Sequence, residues 1–179
     1  MGDVTPQIAV HARLTDLAVI NLTYPPPSHP FARLDSGFHE LVQRCPRPVL
    51  AVPQTVSPLN RALLAYDGSP KSEEALFVAA YLANKWSVPL AVVTVFEGGN
   101  VATHTLDRAR AYLEKRKVEA VYFIEHGDVD NTILSAAEDF RADLIIMGGY
   151  GYNPVLDVVL GSAVDGVLRQ SDMPTLICR

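Results

Sequence analysis

The chain has 179 residues, 49% of them hydrophobic, with a formal net charge of −5 and a pI near 5.5. That apolar content supports a sizeable core and excludes a disordered chain, while the acidic balance argues against nucleic acid or an anionic membrane as partner. No apolar run reaches the length that spans a bilayer, and Cys45 and Cys178 lack a C-x-x-C arrangement, so a cytoplasmic protein with reduced thiols is expected.

In chain order, the first stretch predicts a short helix carrying Ile8 and Ala12, then a strand at Asp16–Ile20. The segment from Tyr24 to Pro30 is proline-rich. Prolines supply no N–H, so this loop cannot build a nest of amide donors. Ser36–Val52 (SGFHELVQRCPRPVLAV) then aligns without gaps on Ser162–Cys178 (SAVDGVLRQSDMPTLIC), and the helix and strand before it match those at 127–147. A repeat of this kind divides the chain into a partial, degenerate unit with its linker at 1–59 and a complete unit at 60–179.

The complete unit opens with a strand at Ala62–Tyr66 that ends in Asp67-Gly68-Ser69-Pro70. Ser69 is a good N-cap and Pro70 a good first helical residue. The helix that follows places Leu76, Ala79, Ala80 and Ala83 on one face. A strand at Pro89–Phe96, a charged amphipathic helix at Leu106–Arg116 and an edge strand at Val118–Ile124 come next. A helix from Asp130, a strand at Leu144–Met147, a final helix and the strand Thr175–Cys178 complete the pattern. Strands alternating with helices predict an α/β fold with a parallel sheet and helices on both faces.

One stretch carries chemistry. Leu144–Met147 is apolar without interruption, as a strand covered on both faces requires. Gly148, Gly149 and Gly151 follow, and Gly161-Ser162 starts a helix in which Ser162 and Asp165 have capping-box spacing. A strand, a glycine loop and exposed helix-start N–H groups suit a phosphate. No metal-ligand cluster, nucleophile elbow or P-loop lysine accompanies it, which favours binding over catalysis.

The spacing Gly148, two residues, Gly151, nine residues, Gly161-Ser162 resembles the G-x2-G-x9-G-[S/T] pattern of nucleotide-binding universal stress proteins. This resemblance implies an open five-stranded sheet of order 3-2-1-4-5, plus a partial copy at the N-terminus. It also implies an adenine nucleotide as cofactor, either ATP, with or without Mg, or AMP. Asp67, with Ala65 and Tyr66 beside it, would reach the adenosine, and Val95 would read the adenine edge. Gly148, Gly151, Gly161, Ser162, Ala163 and Val164 would hold ribose and phosphates. Asp67 also fits plain turn chemistry, and Asp157 stands where relatives often carry a cation.

Two functions follow as expectations: a nucleotide-binding stress-response or signalling module, or a structural protein that keeps the fold without the nucleotide. The strands at 48–52 and 174–178 are expected to pair antiparallel within the chain. The strand at 17–21 lacks the neighbour that its counterpart has, which predicts a homodimer built through residues 1–52.

Overall fold

A computed structural model describes residues 4–23, 37–55, 57–96, 101–150 and 163–179. The N-terminal segment forms helix α1 (Val4–His11), a 3-10 turn (Ala12–Leu14), strand β1 (Ala18–Asn21), helix α2 (Gly37–Arg44) and strand β2 (Val49–Val52). The rest alternates as β3 (Ala62–Ala65), α3 (Pro70–Trp86), β4 (Leu90–Phe96), α4 (Val101–Lys115), β5 (Ala120–His126), α5 (Val129–Phe140), β6 (Leu144–Gly148), α6 (Ala163–Gln170) and β7 (Thr175–Cys178).

All seven strands join one sheet in the order β1-β2-β7-β6-β3-β4-β5. Within residues 60–179 that reads, from β5, as 3-2-1-4-5. The pairs are parallel except at β2–β7, where Val49, Leu50 and Ala51 lie antiparallel to Ile177, Leu176 and Thr175. The strands expected to meet there do meet.

Period-two alternation sends successive residues into two cores. Leu63, Val93, Ile145, Met147 and Ile177 point to one face, where α1, α2, α5 and α6 contribute Ile8, Leu41, Ile133, Ala137 and Val167. Leu64, Val92, Ile146 and Leu176 point to the other, under Leu76 and Ala79 of α3 and Leu106 and Leu113 of α4. Among the described residues no helix covers this second face over β1, and Val19 there is 61% exposed.

Local chemistry sets the helix ends. Ser69 caps α3, its side chain accepting from the Ser72 N–H at 3.2 Å, with Pro70 in the first turn. Asp128 does the same for α5 through Asn131. The edge strand β5 starts two residues later than its apolar pattern suggested. The Val118 N–H is still donated back to Leu113 at 3.0 Å and Lys117 takes φ 56°, so the end of α4 holds these residues before the strand can begin. Helix α4 in turn begins at Val101, before Leu106, which packs in the core.

Candidate functional site

Strands β3 and β6 are neighbours at the point where the strand order reverses. β3 leads into α3 on one face and β6 precedes α6 on the other, so the chain parts at their carboxyl ends. In open α/β sheets ligands enter at such a point. The gap is a cavity of about 340 Å³. It is lined at β3 and its exit by Ala65, Tyr66, Asp67, Lys71 and Ser72, at β4 by Val93 and Val95, and from below by Val129 and Ile133. Met147, Gly148 and Gly149 close the β6 side, with Ala163 and Val164 from the start of α6.

Of the residues singled out from sequence, Ala65, Tyr66, Asp67, Val95, Gly148, Ala163 and Val164 therefore surround one space. Gly151, Gly161 and Ser162 lie outside the described residues, as does Asp157.

Each side chain has a local job as well. The Asp67 carboxylate accepts from the Ser69 N–H at 2.9 Å, an Asx turn completed by Gly68 at φ 77°. The Tyr66 phenol donates to Glu73 at 2.7 Å, and burial and that carboxylate raise its pKa above the ordinary tyrosine value. Arg108 pairs with the same Glu73 carboxylate. Tyr66 thus brings no titrating phenol to the crevice.

Gly148 has a reason beyond ligand approach. A Cβ placed there would lie 2.8 Å from the Ser72 nitrogen and 2.9 Å from the Lys71 carbonyl carbon, both backbone atoms. Only a bare backbone lets the first turn of α3 sit this close to β6. Gly149 donates its N–H to the Cys178 carbonyl at 2.6 Å, extending the β6–β7 ladder by one step. Burial pushes the Cys178 thiol up to about 12, so at neutral pH it is a protonated, apolar core group.

Two residues that the sequence did not single out organise the mouth. Tyr150 is buried, its hydroxyl donating to Asp165 at 2.7 Å, and its ring lies 4.1 Å from that of His39, centroid to centroid. Lys71 donates its ammonium to the Tyr150 carbonyl. Asp165, read from sequence as a capping-box partner, is buried and takes the Tyr150 hydroxyl. Among the described lining residues Lys71 is the one cation and Asp67 the one carboxylate. No group of three or more His, Cys, Asp or Glu is placed to hold a metal among the described residues, and no described helix is long and apolar enough to cross a membrane.

Residues 58–179 match the profile of the Universal stress protein family. Universal stress protein Slr1230 of Synechocystis is 28% identical over 148 residues, covering 82% of this chain and 52% of that protein, so the chain spans about half its length. A universal stress protein in the QAH/OAS sulfhydrylase 3′ region of Thermus aquaticus is 32% identical over 65% of this chain and 96% of its own. Among solved structures, a universal stress protein from Archaeoglobus fulgidus superposes with a TM-score of 0.82 at 23% identity. It covers 99% of this chain and 66% of its own. A universal stress protein in complex with cAMP has a TM-score of 0.59 at 21% identity, over 67% and 96% of the two chains. An Archaeoglobus fulgidus universal stress protein in complex with dAMP has a TM-score of 0.54 at 22% identity, over 66% and 97%.

Proposed function

We propose a function from one premise: the chain belongs to the universal stress protein family. Its crevice between β3 and β6 binds an adenine nucleotide, either ATP, with or without Mg, or AMP. The protein then works as a cytoplasmic stress-response or signalling module rather than as an enzyme. The observation that carries this reading is the convergence of Asp67, Val95, Gly148 and Ala163, distant in sequence, on one cavity at the switch point. That proteins of this fold have been solved with cAMP and with dAMP supports an adenine ligand.

The direct test is to heat-denature the purified protein and identify any nucleotide released. Gly151→Val should then abolish rebinding of that nucleotide in calorimetry while leaving the circular dichroism spectrum in place. Tyr24→Val, in the proline loop of the first unit, should leave binding untouched. A protein that releases and rebinds no adenine compound rejects the reading.

Residues 1–59, in this proposal, are a partial copy that has lost its own site. Two observations on strand register support it. Ala18 faces Val49 as Ile145 faces Thr175, and Val19 faces Leu50 as Ile146 faces Leu176, matching the sequence alignment residue for residue. β1 also lies at the end of the sheet with Leu17 39% and Val19 61% exposed, beside a groove shared with Val4, Ile8 and His11 of α1. A second copy pairing antiparallel along β1 would cover this edge, giving a homodimer with the complete units outward. Ala18 and Leu22 donate to β2, so in the alternation of a parallel ladder the Val19 N–H points to the open edge. Sedimentation should show a dimer that Val19→Pro disrupts. A monomer at micromolar concentration sinks the dimer without touching the nucleotide assignment.

A further inference from the structure

Lys71 sits where helix energetics disfavour it. It follows Pro70 in the first turn of α3. There the macrodipole and the unpaired N–H groups favour anions and repel a cation. A residue that breaks a local rule at the lip of a cavity is a candidate for function. Its position is also tightly set: the Lys71 Cβ and carbonyl carbon lie 3.0 and 2.9 Å from where a Gly148 Cβ would be. The stem therefore runs along β6, and the ammonium reaches past Gly148 to the Tyr150 carbonyl, 79 residues away in sequence.

The glycine segment itself provides no positive side chain. Between Arg141 and Arg169 the sequence holds no lysine, arginine or histidine. Backbone N–H groups can hold a phosphate, but charge-assisted hydrogen bonds are roughly twice as strong as neutral ones. Any side-chain countercharge for phosphates at this mouth has to come from another element. Among the described lining residues Lys71 is that cation.

We infer that Lys71 is the phosphate-reading residue of this crevice: its ammonium exchanges the Tyr150 carbonyl for a nucleotide phosphate and makes affinity rise with phosphate charge. This rests on the adenine-nucleotide reading above and adds which ligand is preferred: ATP over AMP, and AMP over adenosine. It also assigns the Lys71–Tyr150 hydrogen bond as the resting position of a group that moves on binding. A phosphate is a stronger partner for an ammonium than a neutral carbonyl is.

The alternative is a brace, in which Lys71 simply ties the start of α3 to the chain after β6. The two roles separate in Lys71→Met and Lys71→Arg, with adenosine, AMP and ATP titrated calorimetrically at one ionic strength and the ligand-free proteins melted in parallel. Phosphate reading predicts that Lys71→Met weakens ATP about tenfold or more, the worth of a charged hydrogen bond, weakens AMP less, and leaves adenosine unchanged. The ligand-free Lys71→Met protein loses the hydrogen bond to Tyr150 under either role, so its melting temperature serves to check that it folds. Lys71→Arg should keep most of the ATP preference. Equal weakening of all three ligands would identify a brace and overturn the inference. Unchanged ATP affinity in Lys71→Met would overturn it too, while leaving the adenine site standing. A wild type that binds none of the three removes both the site and its reader.

Discussion

The two halves of the sheet share a backbone plan and differ in what hangs from it. In the β1–β2 pair, the Ala18 N–H is donated to Pro48 and the Leu22 N–H to Val52; in the β6–β7 pair, Ile145 N–H goes to Pro174 and Gly149 N–H to Cys178. These are the same bonds at aligned positions. At the joint, Leu50 faces Leu176, its own counterpart, and Val49–Ile177 and Ala51–Thr175 flank them symmetrically. Yet Asn21 is exposed and carries a side chain where Gly148 carries none, and Thr23 stands exposed where Tyr150 is buried. Ladder geometry tolerates this divergence because it uses only main-chain groups. Close helix–strand contact at a ligand mouth does not, because it depends on the presence or absence of single atoms. The difference sets Gly148, Tyr150 and Lys71 apart as the residues on which the proposed site would depend.

The comparison breaks most severely at the joint. Leu176→Asp buries an unpaired carboxylate at a residue only 6% exposed, and should cost at least about 3 kcal/mol in urea unfolding. Leu50→Asp should cost a similar amount if both halves hang on one core. A much smaller loss there would show the N-terminal half to be merely appended.

Next comes Gly148→Val, whose Cβ meets the backbone of Lys71 and Ser72 below 3.0 Å. About 2 kcal/mol or more of stability should go, and nucleotide binding with it, whereas Asn21→Val should stay within about 0.5 kcal/mol. Tyr150→Phe takes a donor from buried Asp165, for a loss of about 1–2 kcal/mol. Its counterpart Thr23→Val should be silent in the same denaturation assay.

The last effect is one of pH. Cys178 has a thiol held up at about 12 by burial, against an ordinary value near 9. Below pH 9 both folded and unfolded thiols are protonated and the group's contribution is fully present. Above it the unfolded chain ionises first and stability falls by roughly 1.4 kcal/mol per pH unit until the folded thiol titrates. Cys178→Val copies Val52 of the other half and should flatten that part of the alkaline slope, measured by urea unfolding between pH 9 and 10.5.

Much of this architecture is legible in the sequence because it rests on local rules. Ser69-Pro70 starts α3 where capping chemistry says it must, and the unbroken apolar run at 144–147 is a strand buried on both faces. The β2–β7 joint is legible too, since two aligned strands with equal claims on a partner can satisfy one another. Lys71 and Tyr150 are not legible. A lysine in the first turn after Asp-Gly-Ser-Pro reads as a solvated charge, and a tyrosine among glycines reads as loop. Their meaning arises from a contact across 79 residues that no local pattern encodes. Gly148 is an intermediate case: its bareness is visible in the sequence, while the α3 backbone that demands it is not.

The antiparallel joint also dictates an order of assembly. β7 lies between β2 and β6, so residues 175–178 are the wedge that unites the β1–β2 pair with the β6-β3-β4-β5 block. A two-stranded pair is too small to be stable alone, so β1–β2 depends on its β7 neighbour. The β6-β3-β4-β5 block gathers without it. Four residues, arriving after all the others of the sheet, convert two incomplete pieces into one, and until they arrive Leu50 has no counterpart to face. A chain cut before Thr175 should therefore lose protection from limited proteolysis first in residues 18–52, which β7 otherwise ties to the rest of the sheet.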